Sequence, residues 1–188
     1  MYTITIFDWD DTFLPSSHIN VPESFWPTLE SAISKLLDIA LEKGSVFIVT
    51  GSYGNWVESS CKQYFPSLWE KIQDIPVFAQ DVKNDKHPMV HKFSSFETIV
   101  QNNLEKKKEL QLVSIGDGPI ERCAALKIQK KYNIQVKTIK MIDYPPVFKL
   151  TAQLELLITC LNTIYELARS LDTVTIFENV LGTVTIAE

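Results

Sequence analysis

Cysteine is scarce, basic charge is not in surplus, and no apolar run is long enough to cross a bilayer. Each shortage removes a class of protein. The 188 residues include only three cysteines, Cys61, Cys123 and Cys160, which are widely spaced and form no CxxC. That pattern argues against a disulfide framework or a thiolate metal site, and for free thiols in a reducing, cytoplasmic setting. A formal charge of −5 leaves no footprint for nucleic acid, so any anionic ligand would need local attraction. No stretch approaches the roughly 20 apolar residues of a membrane span, and the chain reaches Asp8 too early for a secretory signal. The three histidines, His18, His87 and His91, have no metal-ligand spacing. There is no internal repeat and no low-complexity stretch. The single basic run, Lys106-Lys107-Lys108, lies between Glu105 and Glu109 and reads as a solvated helix end.

What remains is an ordinary globular composition, 45% hydrophobic and 22% charged, at a length that suits one domain with a small appendage. Apolar runs and helical stripes alternate along it. Strands are expected at 2–7, 45–49, 75–79, 110–115 and 134–139, the third near an edge because of Pro76. Helices are expected at 31–43, 55–64, 96–108 and 120–132. This rhythm, with short loops, predicts a doubly wound parallel sheet between helical layers. After Pro145-Pro146 the character changes. Residues 150–171 read as a long amphipathic helix, followed by two short β-branched segments, 173–177 and 183–186, able to form a hairpin. Residues 1–145 then form the core, and 146–188 pack on it or at a subunit interface, which leaves room for a homodimer.

The strand ends carry the chemistry. Ile6-Phe7 runs into Asp8-Trp9-Asp10-Asp11-Thr12, and alternation places Asp8 and Asp10 on one side of an extended chain. Buried carboxylates so close are costly without a cation or a chemical use. The plain alternative is an acidic turn or helix cap. The second strand ends in Val49-Thr50-Gly51-Ser52, a hydroxyl beside open backbone N–H groups, suited to a phosphate or to a simple ST turn. The fourth ends in Gly116-Asp117-Gly118-Pro119, with Glu121 about one turn later; Asp117 alone would serve as a helix cap. Three strand ends that converge on carboxylates and a hydroxyl point to an active site at the carboxyl edge of the sheet.

The succession Ile6-Phe7-Asp8-Trp9-Asp10-Asp11-Thr12, Val49-Thr50-Gly51, a downstream lysine and Ile115-Gly116-Asp117 resembles the haloacid dehalogenase (HAD) superfamily over about residues 1–140. The DWDD form and Asn55-Trp56-Val57-Glu58 also look like small capless members of unassigned activity in single-celled eukaryotes. The resemblance implies a Rossmann-like sheet of order 5-4-1-2-3 and a Mg²⁺-dependent phosphohydrolase. Asp8 would be the nucleophile that becomes an aspartyl phosphate, and Asp10 the acid and base. Thr50 and the Gly51 amide would bind the phosphoryl group. Asp8, the Asp10 carbonyl and Asp117 would hold the metal, with Glu121 in place of the usual aspartate and displaced to its outer shell. Lys92 is favoured over Lys86 as the charge-stabilising lysine, and Lys83 reads as a surface residue. Trp9 and Trp56 are candidates to flank the entrance, and His18 and Asn55 to touch substrate.

Neither 13–45 nor 52–91 holds room for a separate cap domain. The site should therefore be open, suited to a bulky or macromolecular phosphomonoester or to a lid from a second subunit. Two other readings share these residues: a non-catalytic HAD-like scaffold, and a receiver-like phosphoacceptor, which would not need Asp10 as an acid.

Overall fold

A computed structural model describes residues 1–82, 87–104, 109–176 and 184–186, from residue 172 onward by backbone alone. The chain forms an α/β sheet of seven strands: β1 (Tyr2–Phe7), β2 (Gly44–Tyr53), β3 (Val77–Gln80), β4 (Leu110–Gly116), β5 (Gln135–Lys140), β6 (Leu171–Ile176) and β7 (Val184–Ile186). Their order is β3-β2-β1-β4-β5-β6-β7, so the five expected strands lie in the expected order. β1 through β6 pair in parallel and β7 is antiparallel to β6.

The helices are α1 (Trp26–Lys43), α2 (Trp56–Tyr64), α3 (Trp69–Ile72), α4 (Pro88–Leu104), α5 (Pro119–Tyr132) and α6 (Val147–Glu166). Alternation along β1 sorts them into layers. Phe7 faces a core shared with α1, α2 and α6, built on Leu36, Cys61, Leu154 and Leu157. Ile4 and Ile6 face the opposite core, with Phe96 and Ile99 of α4 and Ala124 and Ile128 of α5. Both faces of the sheet are therefore covered, as parallel strands require.

Several expected boundaries move. α4 begins at Pro88 rather than near residue 96, which puts Lys92 inside the helix instead of ahead of it. Its opening turns carry Pro88 at the start and Met89, Phe93 and Phe96 at helical spacing, a signal that the expected start near residue 96 left out. The last helix covers 147–166, not 150–171, and residues 171–176 are a strand. That strand joins β5 in parallel, so β5, α6 and β6 form one further crossover of the main sheet. The expected hairpin exists as β6–β7, with residues 177–183 outside those described. By length and composition α6 would pass as a marginal membrane span, yet eight of its residues, Val147, Leu150 and Leu157 among them, are buried within the fold.

Gly44 opens β2 opposite Thr3 of β1. A Cβ there would lie 2.0 Å from the Thr3 carbonyl oxygen, a backbone atom with no freedom to yield. Gly44→Ala is therefore expected to force the central strands apart and cost at least the 1–3 kcal/mol, roughly, of an overpacked core. A lowered urea midpoint in the purified variant is the check; an unchanged one refutes the close approach.

Lys137 breaks the outward alternation expected of β5: it is fully buried. Its Nζ donates to Gln111 Oε1 at 2.8 Å and to the Tyr165 carbonyl at 2.9 Å, in the last turn of α6. Gln111 in turn donates to Thr3 Oγ1 at 2.7 Å, and the Tyr165 hydroxyl meets Thr5 Oγ1 at 2.9 Å. Burial pushes the Lys137 ammonium down to about 8. A lysine whose folded value lies below its unfolded one burdens the fold at lower pH, and the burden lifts as pH rises from about 8 to 10.5. Over that range the stability of the wild type relative to Lys137→Met should climb, by at most about 3 kcal/mol. Urea titrations of both proteins read it, and a flat difference would show that the two acceptors fully offset the burial.

Candidate active site

Three strands end beside one another, β2, β1 and β4, and their loops build one open cleft of about 430 Å³. It is lined by Asp8, Asp10, Gly51, Ser52, Lys92, Asp117 and Glu121, together with Asp11, Ser16, Pro88 and Ile120. The crossovers leave β1 for β2 on one side and reach β4 on the other, so the cleft sits at the switch point of the sheet.

Asp8 continues β1 by one more ladder bond, its N–H donating to the Ile115 carbonyl at 2.9 Å. The residue is 7% exposed, and Oδ1 lies 2.8 Å from Lys92 Nζ. Lys92, on α4, also pairs with Glu121 on α5. Burial pushes the Asp8 carboxyl up, to about 8; Lys92 pulls it down, while Glu121 and Asp117 add to the rise. Burial alone would lower the Lys92 ammonium, but Asp8 and Glu121 outweigh it and hold it above its usual value. Asp117 is raised to about 7 by burial, then by Glu121 and Asp11. The cleft thus carries more negative charge than Lys92 neutralises.

Glycines make room for Glu121. A Cβ on Gly116 would stand 2.8 Å from Glu121 Cγ, and one on Gly118 would stand 2.9 Å from Glu121 Oε2. The side chain folds back under the β4–α5 loop, and its buried Oε2 has no hydrogen-bond partner. Asp117 does not cap α5: the N-cap is Gly118, with no side-chain cap bond. Its backbone N–H instead donates to Thr12 Oγ1 at 3.2 Å, which ties the β4 loop to the acidic loop after β1. The threonine of the DxDxT run was the signal for this link.

Asp10 is held from the other side. Trp56 Nε1 donates to Oδ1 at 2.9 Å, Ser52 Oγ to Oδ2 at 2.7 Å and Thr50 Oγ1 to Oδ2 at 3.3 Å. Thr50 Oγ1 also accepts the Ser52 N–H at 3.0 Å, so the ST turn is present together with the contact to Asp10. His91 Nε2 lies 3.1 Å from the Thr50 carbonyl. The acidic-turn reading holds for Asp11, which has a φ of 54° and accepts the N–H and the hydroxyl of Ser17 at 3.0 and 2.5 Å.

Other expectations change. Trp9 does not flank the entrance; it is fully buried, edge-on to Phe13 and Phe65, with Nε1 donating to Ser60 Oγ at 2.9 Å. Trp56 is a donor to Asp10 rather than a doorpost. His18 lines a separate, mostly apolar groove with Val147 and Phe148, and neither it nor Asn55 is among the described residues of the carboxylate cleft. Lys83 and Lys86 fall outside the described residues. Ser52 and Ser16 line the cleft without having been singled out, since serines after strands are too common to stand out.

Among the described residues, no group of three or more His, Cys, Asp or Glu side chains is arranged to hold a metal ion. The carboxylates that line the cleft are Asp8, Asp10, Asp11, Asp117 and Glu121; Asp10 and Asp11 are engaged by Trp56, Ser52 and Ser17, which leaves Asp8, Asp117 and Glu121 as oxygen donors. No protein-family model, no curated protein and no solved structure matches the chain.

Proposed function

We propose that the protein is a Mg²⁺-dependent phosphohydrolase of HAD type, acting through Asp8 as nucleophile. The observation that carries this reading is the buried Asp8–Lys92 contact of 2.8 Å, set in the same cleft as Gly51, Ser52, Asp10 and Asp117, with the buried Thr50 hydroxyl bonded to Asp10. A surface salt bridge has no need of burial, and a buried one left beside two further acids is poor as a stabilising device. A nucleophile that must be held in place near transferred charge does need such a lysine.

In this reading an Asp8 oxygen attacks phosphorus as the ester P–O bond breaks, and a proton on Asp10 passes to the departing alkoxide. Water then attacks the aspartyl phosphate, giving its proton to the Asp10 carboxylate and releasing orthophosphate. The Gly51 amide and the Thr50 hydroxyl would receive phosphoryl oxygens, and Lys92 would stabilise their charge. The donor set suits a hard cation: Asp8, Asp117 and the Asp10 carbonyl are all oxygens, and Glu121 Oε2 is a buried acceptor without a donor. Mg²⁺ at that position would supply charge neutralisation between carboxylates and phosphate. The open cleft favours a bulky phosphomonoester, and the unpaired thiols fit a cytoplasmic setting.

Phosphate release from p-nitrophenyl phosphate, with Mg²⁺ and with chelator, tests the reading. Release that depends on Mg²⁺ supports it. Absence of release from any phosphomonoester, with no thermal shift on adding Mg²⁺, would leave the scaffold reading in its place.

A further inference from the structure

The Asp10 carboxylate has all its described donors on one wall, and that wall is the turn that would grip the phosphoryl group. Trp56 takes Oδ1; Ser52 and Thr50 share Oδ2. The tryptophan is fixed from behind. Its carbonyl accepts Ser60 Oγ at 2.6 Å, and that same oxygen accepts the indole N–H of buried Trp9. The Trp56 ring is partly buried and packs against that same core, and a carboxylate gripped at both oxygens has little rotational freedom.

Thr50 adds a constraint of count. A hydroxyl has one proton to donate. Here Thr50 Oγ1 already accepts the Ser52 N–H, and its proton points to Asp10. It cannot donate to Asp10 and to a phosphoryl oxygen at once.

We propose that Trp56 and Ser52 are positioning residues for Asp10, and that a phosphoryl group arriving at Thr50 completes the alignment by exchange. The Thr50 O–H releases Oδ2 and turns to the phosphoryl oxygen. The lone pair freed on Oδ2 takes up a proton from solvent, and that O–H is the one given to the leaving oxygen, while Trp56 and Ser52 keep the carboxyl from swinging away. Proton transfer by Asp10 is thereby tied to an occupied phosphate turn, which limits idle protonation in an open site. This rests on the phosphohydrolase reading above.

Two variants separate positioning from general support. Trp56→Phe keeps the ring and deletes the N–H; Ser52→Ala deletes one hydroxyl at a loop position. kcat/KM reports the first transfer step, in which an alkyl phosphate needs a protonated leaving group and p-nitrophenyl phosphate does not. In each variant kcat/KM should fall roughly 10–100-fold for the alkyl phosphate, less than the 10²–10⁴-fold, roughly, of losing the acid outright. For p-nitrophenyl phosphate Trp56→Phe should change it less than about threefold, since that step draws no acid assistance; Ser52→Ala, in the phosphate turn itself, should lose more on the alkyl phosphate than on p-nitrophenyl phosphate. Equal losses on both substrates in both variants would overturn the proposal, because a structural defect does not distinguish leaving groups. A readout independent of turnover is the indole ¹⁵N–H resonance absent from Trp56→Phe, which should shift in Asp10→Ala. If that resonance responds while the wild type hydrolyses no phosphomonoester, the clamp stands and the phosphohydrolase reading fails. If it does not respond, the clamp itself is refuted.

Discussion

Asp8→Asn is expected to abolish phosphate release while the protein stays folded. In the proposed mechanism the substitution removes the nucleophilic oxygen and one cation ligand together, and removal of a covalent nucleophile costs on the order of 10⁶-fold in turnover. The side chain is buried and isosteric with asparagine, so packing in the cleft is kept. Electrostatically the change is mixed. A buried charge is lost, as is its repulsion with Glu121 and Asp117, but Lys92 forfeits one of two partners and keeps Glu121. These terms oppose one another, and the unfolding midpoint is expected to move by only a few degrees. Single-turnover and steady-state phosphate assays on a variant with native circular dichroism are the measurement. Wild-type rates in that variant would sink the covalent mechanism whatever the fate of the fold.

Truncation after Pro146 is expected to destroy the fold rather than trim it. The removed helix buries Leu150, Leu154, Leu157, Leu161, Ile164 and Tyr165, facing Ile33, Leu36 and Leu37 of α1 in the same core. At about 1.5–3 kcal/mol for each large apolar side chain, six of them amount to the whole stability of an ordinary domain, about 5–15 kcal/mol. The cut also strips Lys137 and Gln111 of the Tyr165 carbonyl, which leaves an ammonium facing a vacated core. Fragment 1–146 should therefore appear aggregated, or compact without near-ultraviolet dichroism. Size-exclusion chromatography of the full chain alongside it reads the oligomeric state. A soluble, cooperative and active fragment would show that the terminal segment is neither core nor lid.

Residues far apart in the chain and legible one by one became a site only through packing. Strand periodicity and the acids at the strand ends were visible in the sequence because alternation and charge are local properties. The sheet order and the roles expected of Asp8, Asp10, Thr50, Gly51 and Asp117 came from the family resemblance that those segments carry. The reach of α4 was missed although Met89 and Phe93 continue its apolar spacing, because its first turns also pack two polar residues, Lys92 and Ser95, inward. The place of β6 was not visible: short β-branched segments do not reveal which edge they join, and the parallel pairing with β5 depends on α6 crossing the sheet.

Partners of polar atoms were the other hidden quantity. Nothing in residues 50–60 announces that the Trp56 indole faces Asp10, or that Trp9 and Ser60 stand behind it. Nor does Lys137, in a run of alternating polarity, disclose that both faces of its strand are covered. The sequence by itself determined the alternation of strands and helices and the chemical kind of the groups at the strand ends, because these depend on neighbours two to four residues away. The tertiary structure decided which lysine meets Asp8, which donors hold Asp10 and how Glu121 fits under its loop. Those contacts join residues up to 84 positions apart, at distances that only the packed sheet and its two helical layers impose.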